Sequence, residues 1–133
     1  MNTEGCPFCE IINKVEEGDR VLRDCYYHNL KIIYDKYPVS KGHVLIIPYR
    51  HVSNYFDLLE YEKENINFGL NLAKEILDKK YNPDGYNIGV NVGEKAGQTI
   101  DHVHIHLIPR YDGDIENPEG GVRGVIPSKR VYK

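Results

Sequence analysis

The chain has 133 residues, of which 41% are hydrophobic and 28% charged, the size and composition of one domain able to bury a core. Seventeen Lys and Arg against twenty Asp and Glu leave a net charge of −3, which provides no broad basic face for a nucleic-acid polymer. No apolar run approaches the roughly 20 residues of a membrane-spanning helix, and Met1 to Gly5 lack the positive start and apolar stretch of a secretion signal, so cytoplasmic residence is expected.

In chain order, the first expected element is a short amphipathic helix after Pro7, a residue suited to a first helical position, with Phe8, Ile11, Ile12 and Val15 on one side and Gly18 as its stop. Short strands follow over 21–26, 30–35 and 43–48. Their connections are too short for a parallel crossover, so they read as an antiparallel meander. A long helix is expected over 57–80, where Leu59, Ile66, Leu70, Ala73 and Leu77 recur at helical spacing. Asp57 is its candidate cap, and Asn82-Pro83-Asp84-Gly85 its stop. It alone is long enough to carry a crossover. Strands over 86–92 and 101–108 complete an α+β pattern of about five strands in a mainly antiparallel sheet, with one long and one short helix. Residues 1–110 form the expected domain. Residues 111–133, rich in Gly, Pro and charge, read as a tail packed on the domain or on a partner subunit.

Half of the six histidines fall within five residues, at His102, His104 and His106, and period-two alternation would put all three on one face of a strand. Such a cluster marks chemistry, either nucleophilic and acid–base work or metal ligation. Just upstream, Gly93 to Thr99 form a glycine-containing turn that can approach a phosphate closely, with Gln98 and Thr99 as donors. Asn91 faces the polar side of the preceding strand. Cys6-Pro7-Phe8-Cys9 reads either as two small buried residues or as half of a tetrahedral metal site. Three cysteines cannot all pair within one chain, and no strand precedes the motif to suggest a thioredoxin-like role.

The segment Gly97 to Arg110, containing His102-Val103-His104-Ile105-His106, resembles the signature of the histidine-triad family of nucleotide hydrolases and transferases. The similarity extends to residues 35–40, Gly42 to Pro48 and Arg50-His51-Val52, and so covers most of residues 6–114. Residues 109–114 are more similar to the branch that cleaves dinucleoside polyphosphates than to the phosphoramidase branch. The resemblance implies nucleotidyl transfer through His104 as nucleophile. His106 and His102 would assist, and His43 would support them as a fourth histidine. It further implies phosphate contacts from Gln98, Thr99, Asn91 and Gly97. Asp35 would bind ribose hydroxyls, and Phe8, Ile11, Ile33 and Tyr34 would line a purine pocket. Some members pair such cysteines with two histidines, here His51 and His102, which implies a structural zinc held by Cys6, Cys9, His51 and His102. Family members form homodimers. The expected activity is therefore cleavage at the α-phosphate of an adenine nucleotide such as a diadenosine polyphosphate. An adenosine phosphoramidase, a phosphorylase, a metal-dependent hydrolase and a non-catalytic nucleotide sensor are the alternatives.

Overall fold

The computed structural model describes residues 4–14 and 19–132. Its elements are α1 (Pro7–Asn13), β1 (Val21–Cys25), β2 (Leu30–Tyr34), β3 (Val44–Pro48), α2 (Glu60–Tyr81), β4 (Gly85–Gly89) and β5 (Ile105–Arg110). The strands form one sheet in the order β1-β2-β3-β5-β4, every neighbouring pair antiparallel. Because β5 is antiparallel to both β3 and β4, the last two run parallel, and α2 is the crossover between them. The expected α+β class and meander are observed. Val15 and the helix stop at Gly18 lie outside the described residues.

Strand alternation divides the core in two. Leu30, Ile32, Val44, Ile46, Ile105 and Leu107 face α2 and meet its Ile66, Ala73 and Leu77. Ile33, Leu45 and Ile47 face the other way, where α1 covers them with Phe8, Cys6 and Cys9. Gly69 of α2 lets the helix sit close to the sheet: a Cβ there would come 3.0 Å from Ile46 and 3.1 Å from Leu30.

Three boundaries differ from the sequence expectation. Asp57 ends a 3-10 turn, Tyr55–Asp57, and does not cap α2. The helix begins after Leu59, whose backbone N–H is received by Glu62 Oε1 at 2.9 Å, while Arg50 holds the same carboxylate. At the other end Asn82 closes α2 in the left-handed conformation, φ 51°. β4 stops at Gly89, which leaves Asn91 in the following loop. β5 starts at Ile105, so His102 and His104 precede the strand. The segment leaves the ladder because its backbone is anchored elsewhere: Val103 N–H donates to Val52 O at 2.7 Å. Among the described residues, no helix is long and apolar enough to cross a membrane.

Residues 111–132 fold as turns, including 3-10 turns at Gly121–Val125 and Pro127–Lys129. Arg110 ties their start to the sheet, bonding Asp114 through Nε and Nη2 and Asn87 through Nη1. Arg130 Nη1 donates to the carbonyls of Asn117 and Glu119, folding the tail back on itself.

Candidate active site

The face of the sheet not covered by α2 carries an open cleft of about 700 Å³. His106 enters it from β5, opposite Leu45 of β3 and Gly89 of β4. His104 comes from the extended segment before β5. Pro7, Phe8, Leu45, Ile100 and Ile108 make the apolar walls, while Asn91, Gly97 and Thr99 line the loop side. Arg20, Asp35, Lys36 and Tyr37 line another side.

Hydrogen bonds define the protonation pattern of the imidazoles. His104 Nδ1 lies 2.8 Å from His102 O. A carbonyl only accepts, so the proton sits on Nδ1 and Nε2 keeps its lone pair. His43 Nδ1 receives Val39 N–H at 3.1 Å, which puts the His43 proton on Nε2, and that atom lies 2.9 Å from His106 Nδ1. His106 Nδ1 is therefore the acceptor and its Nε2 the donor. The result is a chain from the Val39 amide through His43 to a donating Nε2 on His106, beside an unprotonated Nε2 on His104. The two rings are 5.3 Å apart.

Burial keeps these groups neutral. Desolvation lowers His104 below the ordinary histidine range, opposed by its bond to His102 O and by Asp35. His106 is pushed down to about 4 by burial, with His104 and His43 adding to the shift and Asp35 opposing it. His43 is lowered by the same desolvation. Asp35 completes the cluster, with Oδ2 at 3.4 Å from His43 Nε2 and 3.8 Å from His106 Nδ1. These three side chains are close enough to suggest a metal site. The proton on His43 Nε2 argues against one, because it occupies the lone pair a cation would need.

A second cluster has the opposite character. Cys6, Cys9, His51 and His102 bring four ligand atoms within 4.8 Å of one another. His102 Nδ1 is 3.5 Å from both sulfurs and 3.2 Å from His51 Nδ1, and Cys9 Sγ is 3.1 Å from His51 Nδ1. Tetrahedral zinc with bonds of about 2.0 Å to nitrogen and 2.3 Å to sulfur requires such edges, roughly 3.3 to 3.5 Å. His102 Nε2 donates to Pro48 O at 2.8 Å, leaving Nδ1 free to ligate. The residues fit a divalent metal. Without a cation, burial and the neighbouring Cys6 push the Cys9 thiol up to about 11; a bound metal reverses that preference. All four residues were singled out in the sequence.

Alternation holds across the triad: Val103, Ile105 and Leu107 pack in the core beneath α2, while the three histidines lie on the opposite side, where Phe8 meets His102 at 6.0 Å and His104 at 4.9 Å, but they divide between two clusters. His102 is drawn into the cysteine cluster, and it meets the reaction centre only through its carbonyl on His104. Gln98 also departs from expectation. Its Oε1 accepts from Gly93 N at 2.9 Å, while its Nε2 donates to Ser53 O at 2.8 Å and Ile100 O at 3.1 Å. The amide therefore frames the loop, and it is Thr99, Gly97 and Asn91 that reach the cleft. Tyr34 has the wrong parity for the purine pocket: it faces α2, where its hydroxyl meets Lys80 Nζ at 3.1 Å and Tyr81. Ile33 is on the cleft side of the sheet and Ile11 is on α1, but both pack in the cluster with Phe8 and neither lines the cleft, which Phe8 does. Phe8 itself meets His104 edge-on at 4.9 Å.

Arg20, Lys36 and Tyr37 were not foreseen. Lys36 and Tyr37 adjoin Asp35 in sequence, a usable signal. Arg20 had none. It arrives because Tyr34 N–H donates to Arg20 O at 2.7 Å while Arg20 Nε donates to Tyr34 O at 3.1 Å.

A family model of the HIT domain matches residues 24–113. The chain belongs to the HIT family. It is 41% identical over 111 residues to an uncharacterised HIT-like protein of Methanocaldococcus jannaschii, covering 84% of this chain and 83% of that one. It is 34% identical to a protein of Mycobacterium tuberculosis named AP-4-A phosphorylase, covering 81% of this chain and 55% of that protein. Among solved structures it resembles a zinc-bound histidine triad family protein from Mycobacterium smegmatis. That match has a TM-score of 0.74 and 28% identity, covering 87% of this chain and 82% of that one. Members of this family thus include proteins named for diadenosine polyphosphates, and the fold expected from the resemblance is the fold observed.

Proposed function

We propose that this protein cleaves an adenine nucleotide at its α-phosphate through a covalent nucleotidyl-His104 intermediate. The observation that carries the reading is the direction of hydrogen bonding at His104, whose Nδ1 proton is held by His102 O so that Nε2 is left as a neutral nucleophile in the cleft. Nε2 attacks phosphorus, the N–P bond forms and the P–O bond to the leaving group breaks. His106 Nε2–H donates to the departing oxygen. Water then attacks phosphorus and releases its proton to solvent, the P–N bond breaks with its electron pair returned to His104, and the nucleoside monophosphate leaves. Thr99, Asn91 and the Gly97 backbone meet the phosphate oxygens, where charge spreads during transfer. Gln98 sets the loop that presents them. Asp35 receives ribose hydroxyls, and the base lies against Phe8.

Arg20 and Lys36 favour a leaving group that carries negative charge. A diadenosine polyphosphate meets that demand, whereas an amine leaving group does not. The relative named AP-4-A phosphorylase supports the same substrate class, with phosphate replacing water as acceptor in its case. The cysteine–histidine cluster holds a structural zinc, because four protein ligands leave no open position for substrate. Two copies of the chain associate through β4, an edge strand whose Ile88 is 53% exposed, together with α2.

The test is a panel of adenylated compounds, diadenosine tri- and tetraphosphate and adenosine phosphoramidate, assayed with the wild type and His104→Ala. The reading expects the polyphosphates to be turned over faster and His104→Ala to lose turnover while still binding AMP. Immediate loss of wild-type activity on adding a chelator would favour a metal-dependent hydrolase instead.

A further inference from the structure

Lys31 is 1% exposed, a rare environment for a lysine, and the chemistry at His104 makes no use of it. It sits on β2 with the parity of Ile33, on the side of the sheet that α1 covers. Its Nζ donates to Ile11 O of α1 at 3.0 Å and lies 3.7 Å from Asp24 Oδ2, the residue directly opposite it on β1. Asp24 in turn receives the Tyr49 hydroxyl. Burying a lysine is expensive unless its donors are satisfied, so this arrangement needs a return.

The return lies in α1. A helix of seven residues is too short to be stable alone, and its last carbonyls have no intrahelical donors. α1 has no basic residue in its last turn, and Lys14 closes it in extended conformation with no left-handed cap. Lys31 supplies from the sheet a buried donor to one of these last carbonyls, Ile11 O. The other end of α1 is held by Cys6 and Cys9 beside His51 and His102. Phe8, fully buried and in edge contact with His104, lies on the same helix about one turn before Ile11.

We infer that Lys31 is a positioning residue that fastens the carbonyl end of α1 to the sheet and thereby sets the Phe8 wall of the nucleotide cleft. Its effect falls on binding more than on chemistry, since the bond that orients His104 goes to the His102 carbonyl, beside the opposite end of α1 from Ile11. The nucleotide arm of the test rests on the proposed function; the exchange arm does not.

Lys31→Met keeps the length and apolar stem but removes the donor. Amide hydrogen exchange of residues 8–13 is expected to speed up at least tenfold while the amides of β2 and β3 keep their protection. With diadenosine tetraphosphate, KM is expected to rise about tenfold and kcat to change less than threefold. Asp24→Asn, which leaves Lys31 bonded to Ile11 O, is expected to keep both readouts within about twofold of wild type. Lys31→Arg, which retains a donor, should recover most of the protection. Should Lys31→Met not fold, Lys31→Gln carries the same comparison, because its side chain ends one bond short of the Nζ position from which Ile11 O is reached. Unchanged exchange in residues 8–13 of the donor-less variant overturns the inference. So does an Asp24→Asn variant that reproduces the loss, because the ion pair and not the helix tether would then be responsible. If the wild type turns over no adenylated compound, the proposed function fails and the exchange comparison still decides the role of Lys31.

Discussion

Acid should destabilise this protein in a pH window set by His106. Burial, with His104 and His43 close by, holds that imidazole at about 4 in the folded chain. In the unfolded chain it titrates near 6.5. Between those values the unfolded chain binds a proton that the folded chain refuses, so stability falls as the pH falls. The contribution is complete above about pH 6.5 and is lost on the way down to pH 4. The gap corresponds to about 3 kcal/mol, with a limiting slope of roughly 1.4 kcal/mol per pH unit. Since the side chain is 21% exposed, solvent trims this figure. The assay is urea unfolding of wild type and His106→Asn at several pH values from 7 to 4. Carboxylates titrate in both proteins and cancel in the difference. The wild type should lose more stability than the variant over this range, by up to about 3 kcal/mol. Parallel profiles would refute the claim that the folded cleft keeps His106 neutral.

Metal analysis of protein never exposed to chelator should find about one zinc per chain, and Cys9→Ser should lose it. The Tm of that variant should fall by about 10 °C or more, a larger effect than on kcat; protein without metal would return Cys6 and Cys9 to a packing role. Gln98→Ala removes three bonds that frame the loop. It should raise KM for the nucleotide and lower stability by about 1 to 2 kcal/mol in thermal unfolding. Sedimentation should give about twice the chain mass, and Ile88→Lys on the β4 edge should return it to the monomer mass.

Much of this site was legible in the sequence because its groups are close along the chain or carry distinctive chemistry. The triad, the Cys-x-x-Cys pair and the glycine turn announce themselves by residue type. What alternation could not reveal is where the ladder ends. His102 and His104 keep the strand period but lie outside the ladder, because Val103 is bonded to Val52 O. The same limit explains Gln98: a donor next to a phosphate-binding position looks equivalent to Thr99 until the loop's own carbonyls claim it. The resemblance implies both Ile33 and Tyr34 in the purine pocket, although adjacent strand residues point to opposite faces. Strict parity along Leu30–Tyr34 would have sent Tyr34 to α2. Arg20 and Lys31 act through partners far along the chain, at Tyr34 and Ile11, and nothing local marks either one.

The claim on which the account turns is that His104 carries the nucleotide. Rapid mixing with diadenosine tetraphosphate labelled at an α-phosphate, followed by a mild non-acidic quench because the P–N bond is acid-labile, tests it directly. The account predicts label bound to wild-type chain in an amount that rises before steady state, mapping to His104, and absent from His104→Ala, which still binds AMP. Turnover by His104→Ala near the wild-type rate, or label mapping to another residue, would contradict it.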